Sequence, residues 1–111
     1  MSTLENIDIT EALEKLDNGA LLLDVRNQDE WEAGRATMAT HIALSELPDH
    51  LDALDKGREI VCVCRSGGRS ARAASFLLEN GFNVVNLEGG MLGWAASDHE
   101  LVSDGDEPTI I

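Results

Sequence analysis

The sequence predicts a single α/β domain in which the strands of a parallel sheet alternate with helices. Residues 20–25 and 59–64 are short runs rich in aliphatic side chains, which is typical of parallel strands buried on both faces. Segments with helical spacing of apolar residues separate the predicted strands, and this alternation favours a doubly wound sheet. A chain of 111 residues is long enough for one such domain with one modest core.

The first elements are expected close to the N-terminus. Ile7 and Ile9 alternate with polar neighbours, which indicates a short strand. Residues 11–17 are predicted to form a helix, with Thr10 as its N-cap and Gly19 as its stop. Residues 20–25 follow as the second strand.

The next helix is predicted from a capping box. Asn27 and Glu30 have the required spacing, so the helix is expected to run through Ala33 and to stop at Gly34. Residues 40–44 are then predicted to form a short strand.

Alternation continues through the second half of the chain. Ser45 is the predicted cap of a helix over residues 46–55, with Pro48 tolerated in its first turn. Residues 59–64 are the clearest strand. A helix over residues 70–80, a strand over 83–87 and a helix over 90–96 are predicted to complete the domain.

The last residues differ in character from the rest of the chain. The segment from Ser97 to Ile111 contains five acidic residues and no basic ones, together with Gly105 and Pro108. Such a segment buries little apolar surface. The domain is therefore predicted to span residues 1–97, and residues 98–111 are expected to form a flexible, solvated tail.

The distribution of charge indicates a small anionic ligand. A net charge of −13 argues against binding to nucleic acid or to an anionic membrane surface. Yet three of the eight basic residues, Arg65, Arg69 and Arg72, fall within nine positions that begin at Cys64. Cationic charge is thus concentrated at one place on an acidic protein.

The two cysteines and the N-terminal residues indicate a cytoplasmic protein. As strand residues i and i+2, Cys62 and Cys64 would lie about 6.6–6.8 Å apart with parallel side chains, which disfavours a disulfide between them. A reduced setting fits this cysteine usage. The first ten residues lack the pattern of a signal peptide, and the apolar runs are too short to span a bilayer.

Cys64 is the candidate nucleophile. It ends the predicted strand and precedes a glycine-rich loop at the N-terminus of a helix, where N–H groups, the helix dipole and arginines favour a thiolate. The loop residues are expected to bind an anionic substrate around the sulfur. These residues are Arg65, Ser66, Gly67, Gly68, Arg69 and Ser70.

Cys62 is expected to be part of the packed core, as buried cysteines in strands usually are. A metal site built on Cys62 and Cys64 would need further ligands at suitable spacing, and none is evident in the sequence. The sequence therefore predicts no metal site, and the chemistry expected of the Cys64 thiolate needs no organic cofactor.

The loop and three further motifs resemble those of the rhodanese family of sulfurtransferases. Asp24-Val25-Arg26 is similar to the family's DVR signature, and Glu30 and Gly34 follow at the family's spacing. Asn86-Leu87-Glu88-Gly89-Gly90-Met91-Leu92-Gly93-Trp94 is similar to its L-x-G-G-x-x-x-W element. The four motifs occur in order and cover about residues 5–97.

The resemblance implies a three-layer α/β/α fold with five parallel strands in the order 3-2-4-5-1. It also implies transfer of a sulfane sulfur from thiosulfate or a similar donor, through a persulfide on Cys64, to a thiol, cyanide or protein thiol. Cysteine phosphatases place a cradle arginine after five intervening residues, whereas Arg69 follows Cys64 after four. This shorter loop favours sulfur transfer over phosphoryl chemistry.

Asp24, Arg26 and Glu30 are predicted to support the site from beneath the loop. A charged pair there is expected, with Glu30 as the partner of Arg26, because buried charges need partners. A direct place for Arg26 in the active site is the alternative.

Residues 35–43 depart from the family pattern. The family commonly has two prolines and a histidine in this region, and this chain has none of them at the matching positions. The sequence therefore leaves the path of this segment open, and Arg35 is expected to be solvated.

Two other functions compete with that of a thiosulfate sulfurtransferase. A persulfide relay between protein partners would keep Cys64 and would need a docking surface. A non-catalytic rhodanese-like regulatory module is the other possibility, but the presence of Cys64 with its loop counts against it. The sequence identifies neither the physiological donor and acceptor nor the oligomeric state.

Overall fold

A parallel sheet of five strands forms the centre of the domain in the computed structural model, which describes residues 3–111. The strands of the chain are β1 (Asn6–Ile7), β2 (Leu21–Asp24), β3 (Arg35–Ala36), β4 (Thr40–His41), β5 (Ile60–Val63), β6 (Val84–Leu87) and β7 (Leu101–Val102). The sheet has the order β1-β6-β5-β2-β4, and all its pairs are parallel. The predicted α/β class and parallel sheet are confirmed.

The strands β3 and β7 lie outside this sheet and form a separate antiparallel pair. If the five strands of this sheet alone are numbered in chain order, β4 becomes the third, β5 the fourth and β6 the fifth. Read across the sheet from the β4 edge, the order is then 3-2-4-5-1. The strand β5 lies in the middle of the sheet and pairs with β2, so the carboxyl ends of these two strands lie side by side near its centre.

Helices cover both faces of the sheet. They are α1 (Ile9–Asp17), α2 (Gln28–Ala33), a 3-10 segment (Leu44–Ala53), α3 (Gly68–Glu79) and α4 (Gly90–Ala96). The capping box of α2 is present, and α4 has the predicted bounds. Within residues 3–111, no helix is long and apolar enough to cross a membrane.

The side chains of β5 alternate between the two faces and so build two cores. Ile60 and Cys62 pack in a cluster with residues of α3 and the 3-10 segment. Val61 and Val63 pack in a cluster with residues of α1 and α4, including Trp94. Because each strand residue meets one of two helical layers, the whole of β5 is buried.

Two local predictions were wrong because of capping and proline. Ile9 belongs to α1 rather than to the first strand, since the carboxylate of Asp8 accepts the Glu11 N–H at 2.9 Å and starts the helix earlier. The helix expected over residues 46–55 is a 3-10 segment with a kink at His50, and it contains Pro48. Proline has no N–H to donate within a helix, which disfavours regular α-helical bonding around it.

The C-terminal segment makes contacts with the domain that the sequence did not predict. β7 pairs with β3, and the N–H of Thr109 donates to the carbonyl of Ala33 at 2.9 Å. Leu101 and Ile110 pack against the same apolar cluster as α1 and α4. Because residues 98–111 are mostly polar and acidic, their composition did not predict the contacts of these two apolar residues.

Arg35 also differs from expectation, because it is half-buried rather than solvated. Its guanidinium lies over the Trp31 ring at 4.8 Å and forms an ion pair with Asp104 at 2.8 Å. On the same ring, Trp31 stacks with His41 at 4.7 Å between centroids. The segment that lacks the family's prolines is thus fixed by aromatic stacking and by the C-terminal segment.

Replacing Gly34 by alanine is expected to displace the C-terminal segment. A Cβ at this position would lie 2.5 Å from the carbonyl oxygen of Thr109 and 2.8 Å from its nitrogen. Overpacking of this kind lowers the free energy of unfolding by about 1–3 kcal/mol. Urea unfolding measures this change, and a glutamate-specific protease that cuts after Glu100 or Glu107 reports the displacement.

The matched control is Gly93→Ala in α4, where a Cβ would meet nothing within 4 Å. This change is expected to leave cleavage unaltered and to be neutral or slightly stabilising, because alanine favours a helix more than glycine does. Equal protection of the C-terminal segment in wild type and Gly34→Ala would contradict the proposed contact.

Candidate active site

Cys64 lies directly after β5, at the carboxyl end of the central strands. Its side chain is buried, with an exposed fraction of 1%, and packs in the apolar cluster beneath α3. Ligands in open α/β sheets bind outside this end of the strands. The strand therefore delivers the sulfur to the edge where a substrate can approach.

The N-terminus of α4 fixes the orientation of the first two peptides of the loop. The N–H of Met91 donates to the carbonyl of Cys64 at 2.8 Å, and that of Leu92 donates to the carbonyl of Arg65 at 3.0 Å. This close approach requires Gly90, whose φ is +57° and where a Cβ would lie 2.5 Å from both carbonyl oxygens. The loop can then present N–H groups, rather than these two carbonyls, to the sulfur.

Hydrogen-bond donors converge on the Cys64 sulfur from the next turn of the chain. The N–H of Gly67 donates to Sγ at 3.1 Å and the hydroxyl of Ser70 at 3.3 Å. Gly67 has a φ of 116°, which a residue with a side chain rarely adopts, and α3 begins at Gly68. The loop thus turns directly into a helix whose positive dipole end lies beside the sulfur.

These donors favour the thiolate of Cys64. Burial raises its pKa, but hydrogen bonds from the Ser70 hydroxyl and from the N–H groups of Ser70, Gly67 and Ser66 outweigh burial and hold the pKa below its usual value. Cys62 has an exposed fraction of 0%, and burial raises its pKa to about 12. The two cysteines therefore differ in reactivity, although only one residue separates them.

Arg69 is held by Glu30. Its Nη1 and Nη2 donate to the two carboxylate oxygens of Glu30 at 2.6 Å and 2.8 Å. The prediction that Glu30 pairs with Arg26 was therefore wrong. The pair joins α2 to α3 beside Cys64.

Arg26 instead pairs with Asp24 at the end of β2. Its Nη2 donates to Asp24 Oδ2 at 2.7 Å and to the carbonyl of Gly34 at 2.7 Å, and both side chains of the pair are fully buried. The carbonyl of Arg26 accepts a hydrogen bond from His41 Nε2 at 2.7 Å. This pair links β2 to the end of α2 and to β4, which is the kind of contact expected of a supporting residue.

Arg65 is exposed at the mouth of the loop. Its Nε donates to the main-chain oxygen of Ile111 at 3.1 Å, a contact that the sequence did not predict. Leu92 and Ile111 are themselves exposed large hydrophobic residues, with exposed fractions of 40% and 49%. Arg65 is thus a solvent-facing cation that is joined through main-chain atoms to Leu92 and Ile111.

A groove of about 530 Å³ lies beside the loop, on the side of Arg69. Arg69 and Arg72 supply its positive charge, and Leu44, Pro48 and Phe76 are among its apolar lining residues. Two of the three clustered arginines therefore line this groove, while Arg65 faces the mouth.

Asn86 is a site residue that sequence reasoning missed. It lies in β6, is buried, and donates from Nδ2 to the carbonyl of Gly67 at 3.3 Å and to Asn6 Oδ1 at 2.9 Å. The sequence contained a signal, because asparagine is uncommon in a buried strand and usually needs a hydrogen-bond partner there. Asn86 and Gly90 both belong to a motif noted in the sequence, but their contacts with the loop were not predicted.

Comparison with known proteins agrees with this architecture. Residues 8–97 match the family model of the Rhodanese-like domain. Because the match covers most of the chain, the protein belongs to the rhodanese-like domain family.

Two relatives and one solved structure illustrate the similarity. YtwF of Bacillus subtilis, provisionally named a sulfurtransferase, is 42% identical over 78 residues, which are 70% of this chain and 76% of YtwF. The thiosulfate sulfurtransferase GlpE of Pseudomonas fluorescens is 30% identical over 107 residues, covering 96% of this chain and 98% of GlpE. A rhodanese-related protein from Thermoplasma volcanium superimposes with a TM-score of 0.82 at 30% identity, covering 88% and 97% of the two chains. At the level of the family, these relatives support a rhodanese-type sulfurtransferase.

Iodoacetamide is expected to modify Cys64 with a pH midpoint below the ordinary thiol value of about 8.5, because hydrogen bonds favour its thiolate. Cys62 should stay unmodified until the protein unfolds. Ser70→Ala is expected to move the Cys64 midpoint upward, since it removes one of the donors to Sγ. Peptide mass mapping across a pH series measures both cysteines.

Ser75→Ala, at an exposed position of the same helix, is the matched control and should leave the profile unchanged. A Cys64 midpoint at or above that of a free thiol would show that the donors do not stabilise the thiolate.

Glu30→Gln is expected to make stability less dependent on pH in the acid range. Hydrogen bonds from Arg69 hold the pKa of Glu30 below its usual value in the folded protein. The pair therefore stabilises the fold fully above the unfolded-state pKa of about 4.3, and this stabilisation is lost as the pH falls through the lowered folded-state pKa. Urea unfolding at a series of pH values downward from about 5 measures the slope.

Glu32→Gln is the control on the same helix. Glu32 is exposed, and its carboxylate accepts a hydrogen bond from the neutral Gln28 side chain rather than from an arginine. The Glu30 variant should lose less stability on acidification than either the wild type or the control. Equal slopes in the two variants would count against a stabilising Arg69–Glu30 pair.

Proposed function

We propose that the protein is a sulfurtransferase that carries a sulfane sulfur as a persulfide on Cys64 and accepts it from thiosulfate or a similar anionic donor. The observation that carries this proposal is the arrangement of the Gly67 N–H and the Ser70 hydroxyl around a buried sulfur that ends a central strand. This arrangement supplies a thiolate without a metal or a neighbouring base.

The first half-reaction forms one S–S bond and breaks another. The Cys64 thiolate attacks the outer sulfur of thiosulfate, and the bond between that sulfur and the sulfonate sulfur breaks. Sulfite leaves with the electron pair, and no proton is transferred. The N–H groups of the loop stabilise the negative charge, first on Sγ and then on the persulfide.

The second half-reaction regenerates the thiolate. A thiolate or cyanide attacks the outer sulfur of the persulfide and takes it, and the electron pair of the broken S–S bond returns to Sγ. The cycle is therefore of the ping-pong type, with the modified enzyme as its intermediate.

The loop arginines have different proposed roles. Arg65 is the exposed cation at the mouth and is available for an anionic donor once its contact with the Ile111 carbonyl is exchanged. Arg69 is already paired with Glu30, so it supplies positive charge near Cys64 without being free to grip a donor with both nitrogens. Asp24 and Arg26 support β2 and Gly34 from beneath the loop.

The same geometry argues against phosphoryl transfer. A phosphatase loop needs a guanidinium that is free to bind the equatorial oxygens of a phosphoryl group. Arg69 follows Cys64 after only four residues and directs both terminal nitrogens to Glu30. The loop therefore suits a single sulfur atom better than a tetrahedral group.

A relay between protein partners is a second candidate function. The observation that favours it is the exposed pair of apolar residues, Leu92 and Ile111, beside Arg65. Protein interfaces have an apolar centre with a polar rim, and arginine is enriched in them. Comparing the rate of Cys64 loading from thiosulfate with that from a protein persulfide distinguishes the two donors.

Reduced protein treated with thiosulfate is expected to gain the mass of one sulfur, about 32 Da, and to lose it again with dithiothreitol. Intact-mass spectrometry measures the change. Cys64→Ser should abolish the gain, whereas Cys62→Ser should retain it because Cys62 is buried in the core. A gain of one sulfur by the Cys64→Ser protein would contradict the assignment of Cys64 as the nucleophile.

Arg65→Gln is expected to raise KM for thiosulfate by roughly tenfold, corresponding to a charge-assisted contact of about 1.5 kcal/mol. Transfer from the preloaded persulfide to a neutral thiol should change less, because the anionic donor has already left. Arg58→Gln is the control for a general loss of charge, since Arg58 contacts the Gly19 carbonyl in another part of the fold. Steady-state and single-turnover kinetics separate the two steps, and an unchanged KM would exclude Arg65 from donor binding.

A further inference from the structure

The hydroxyl of Ser70 has two possible acceptors and only one proton. Its Oγ lies 3.3 Å from Cys64 Sγ and 3.2 Å from the carbonyl oxygen of Gly67. A serine hydroxyl donates one hydrogen bond at a time. Whether the sulfur receives this bond therefore depends on what else the Gly67 carbonyl accepts.

The Gly67 carbonyl is supplied by two other donors. The N–H of Ala71 donates to it at 3.0 Å as the first hydrogen bond of α3, and Asn86 Nδ2 donates to it at 3.3 Å. A carbonyl oxygen has two lone pairs. Because both lone pairs of the Gly67 carbonyl accept other hydrogen bonds, the Ser70 hydroxyl donates its hydrogen bond to the Cys64 sulfur.

The amide of Asn86 is oriented by this carbonyl. Asn86 has an exposed fraction of 3%, and the second hydrogen of Nδ2 is directed to Asn6 Oδ1 at 2.9 Å. A flipped amide would place Oδ1 against the Gly67 carbonyl, so that two acceptors would face each other. Within residues 3–111, Asn86 Oδ1 has no hydrogen-bond partner. The orientation of the amide is therefore fixed by the hydrogen bonds that Nδ2 donates and not by a bond to Oδ1.

We propose that Asn86 is a positioning residue for Cys64, because its amide occupies the Gly67 carbonyl and thereby directs the Ser70 hydroxyl to Sγ. The inference rests on the proposed role of Cys64 as the nucleophile. Asn86 does not contact the sulfur and acts only through Gly67 and Ser70.

The test is a double-mutant cycle with the alkylation of Cys64 as its readout. The four proteins are the wild type, Asn86→Leu, Ser70→Ala and the double variant, and iodoacetamide modification of Cys64 is followed against pH. All substitutions are neutral, so the Arg69–Glu30 and Arg26–Asp24 pairs keep their charges. Asn83→Leu, at an exposed position just before β6, is the matched control and should behave as the wild type.

Asn86→Leu is expected to raise the pH midpoint of Cys64 alkylation and to slow alkylation below the midpoint by about 3- to 10-fold. The reason is that the Cys64 thiolate loses the hydrogen bond from the Ser70 hydroxyl. In the Ser70→Ala background, the same change should have no further effect, because the hydroxyl that it directs is already absent. A merely structural role would give additive effects in the cycle.

Either an unchanged midpoint in Asn86→Leu or a further shift in the double variant would overturn the proposal. Circular dichroism checks the fold, and Asn86→Ala replaces Asn86→Leu if the larger side chain prevents folding. The wild-type profile tests the proposed function separately. A low wild-type midpoint that survives both Asn86 substitutions refutes the positioning role alone, whereas an ordinary wild-type midpoint refutes the activated thiolate on which both proposals depend.

Discussion

The structure of the candidate site depends on two hydrogen bonds between main-chain atoms. The first N–H groups of α4 bind the carbonyls of Cys64 and Arg65, and this contact turns both oxygens away from the sulfur. Without it, a chain leaving β5 would have as many acceptors as donors near Sγ, and the thiolate would face repulsion from carbonyl dipoles. A helix far along the sequence therefore sets the electrostatics of the nucleophile, at a point where only glycine allows the backbones to meet.

Two ion pairs then hold the surrounding elements. The buried Asp24–Arg26 pair joins β2 to Gly34, and Arg69–Glu30 joins α2 to α3. Taking charges out of water is costly, so each pair stabilises the fold only because its geometry is bidentate or supplemented by main-chain acceptors. Removing a single partner of the Asp24–Arg26 pair costs more stability than losing the whole pair, since the remaining charge stays buried.

The sequence was sufficient for the α/β class, the strands around Cys64, the capping box of α2 and the position of the loop, because these depend on local patterns of apolar residues, glycine and capping side chains. The predicted pairing of Glu30 with Arg26 was wrong, because the sequence pattern is compatible with either Arg26 or Arg69 and only the packing of α2 against α3 decides between them. The path of residues 98–111 was missed for a related reason. Leu101 and Ile110 are isolated apolar residues in an acidic segment, and their contacts lie far away in the sequence.

The burial of Cys62 has a consequence for oxidative damage. Many redox-sensitive thiols are rescued by a second cysteine of the same chain, which attacks the oxidised sulfur and forms a disulfide. Cys62 is the only other cysteine, and it is fully buried with its pKa raised to about 12, so it is neither a thiolate nor free to move toward Cys64. A sulfenic acid on Cys64 therefore has no resolving partner within this domain, and its repair depends on thiols from outside the domain.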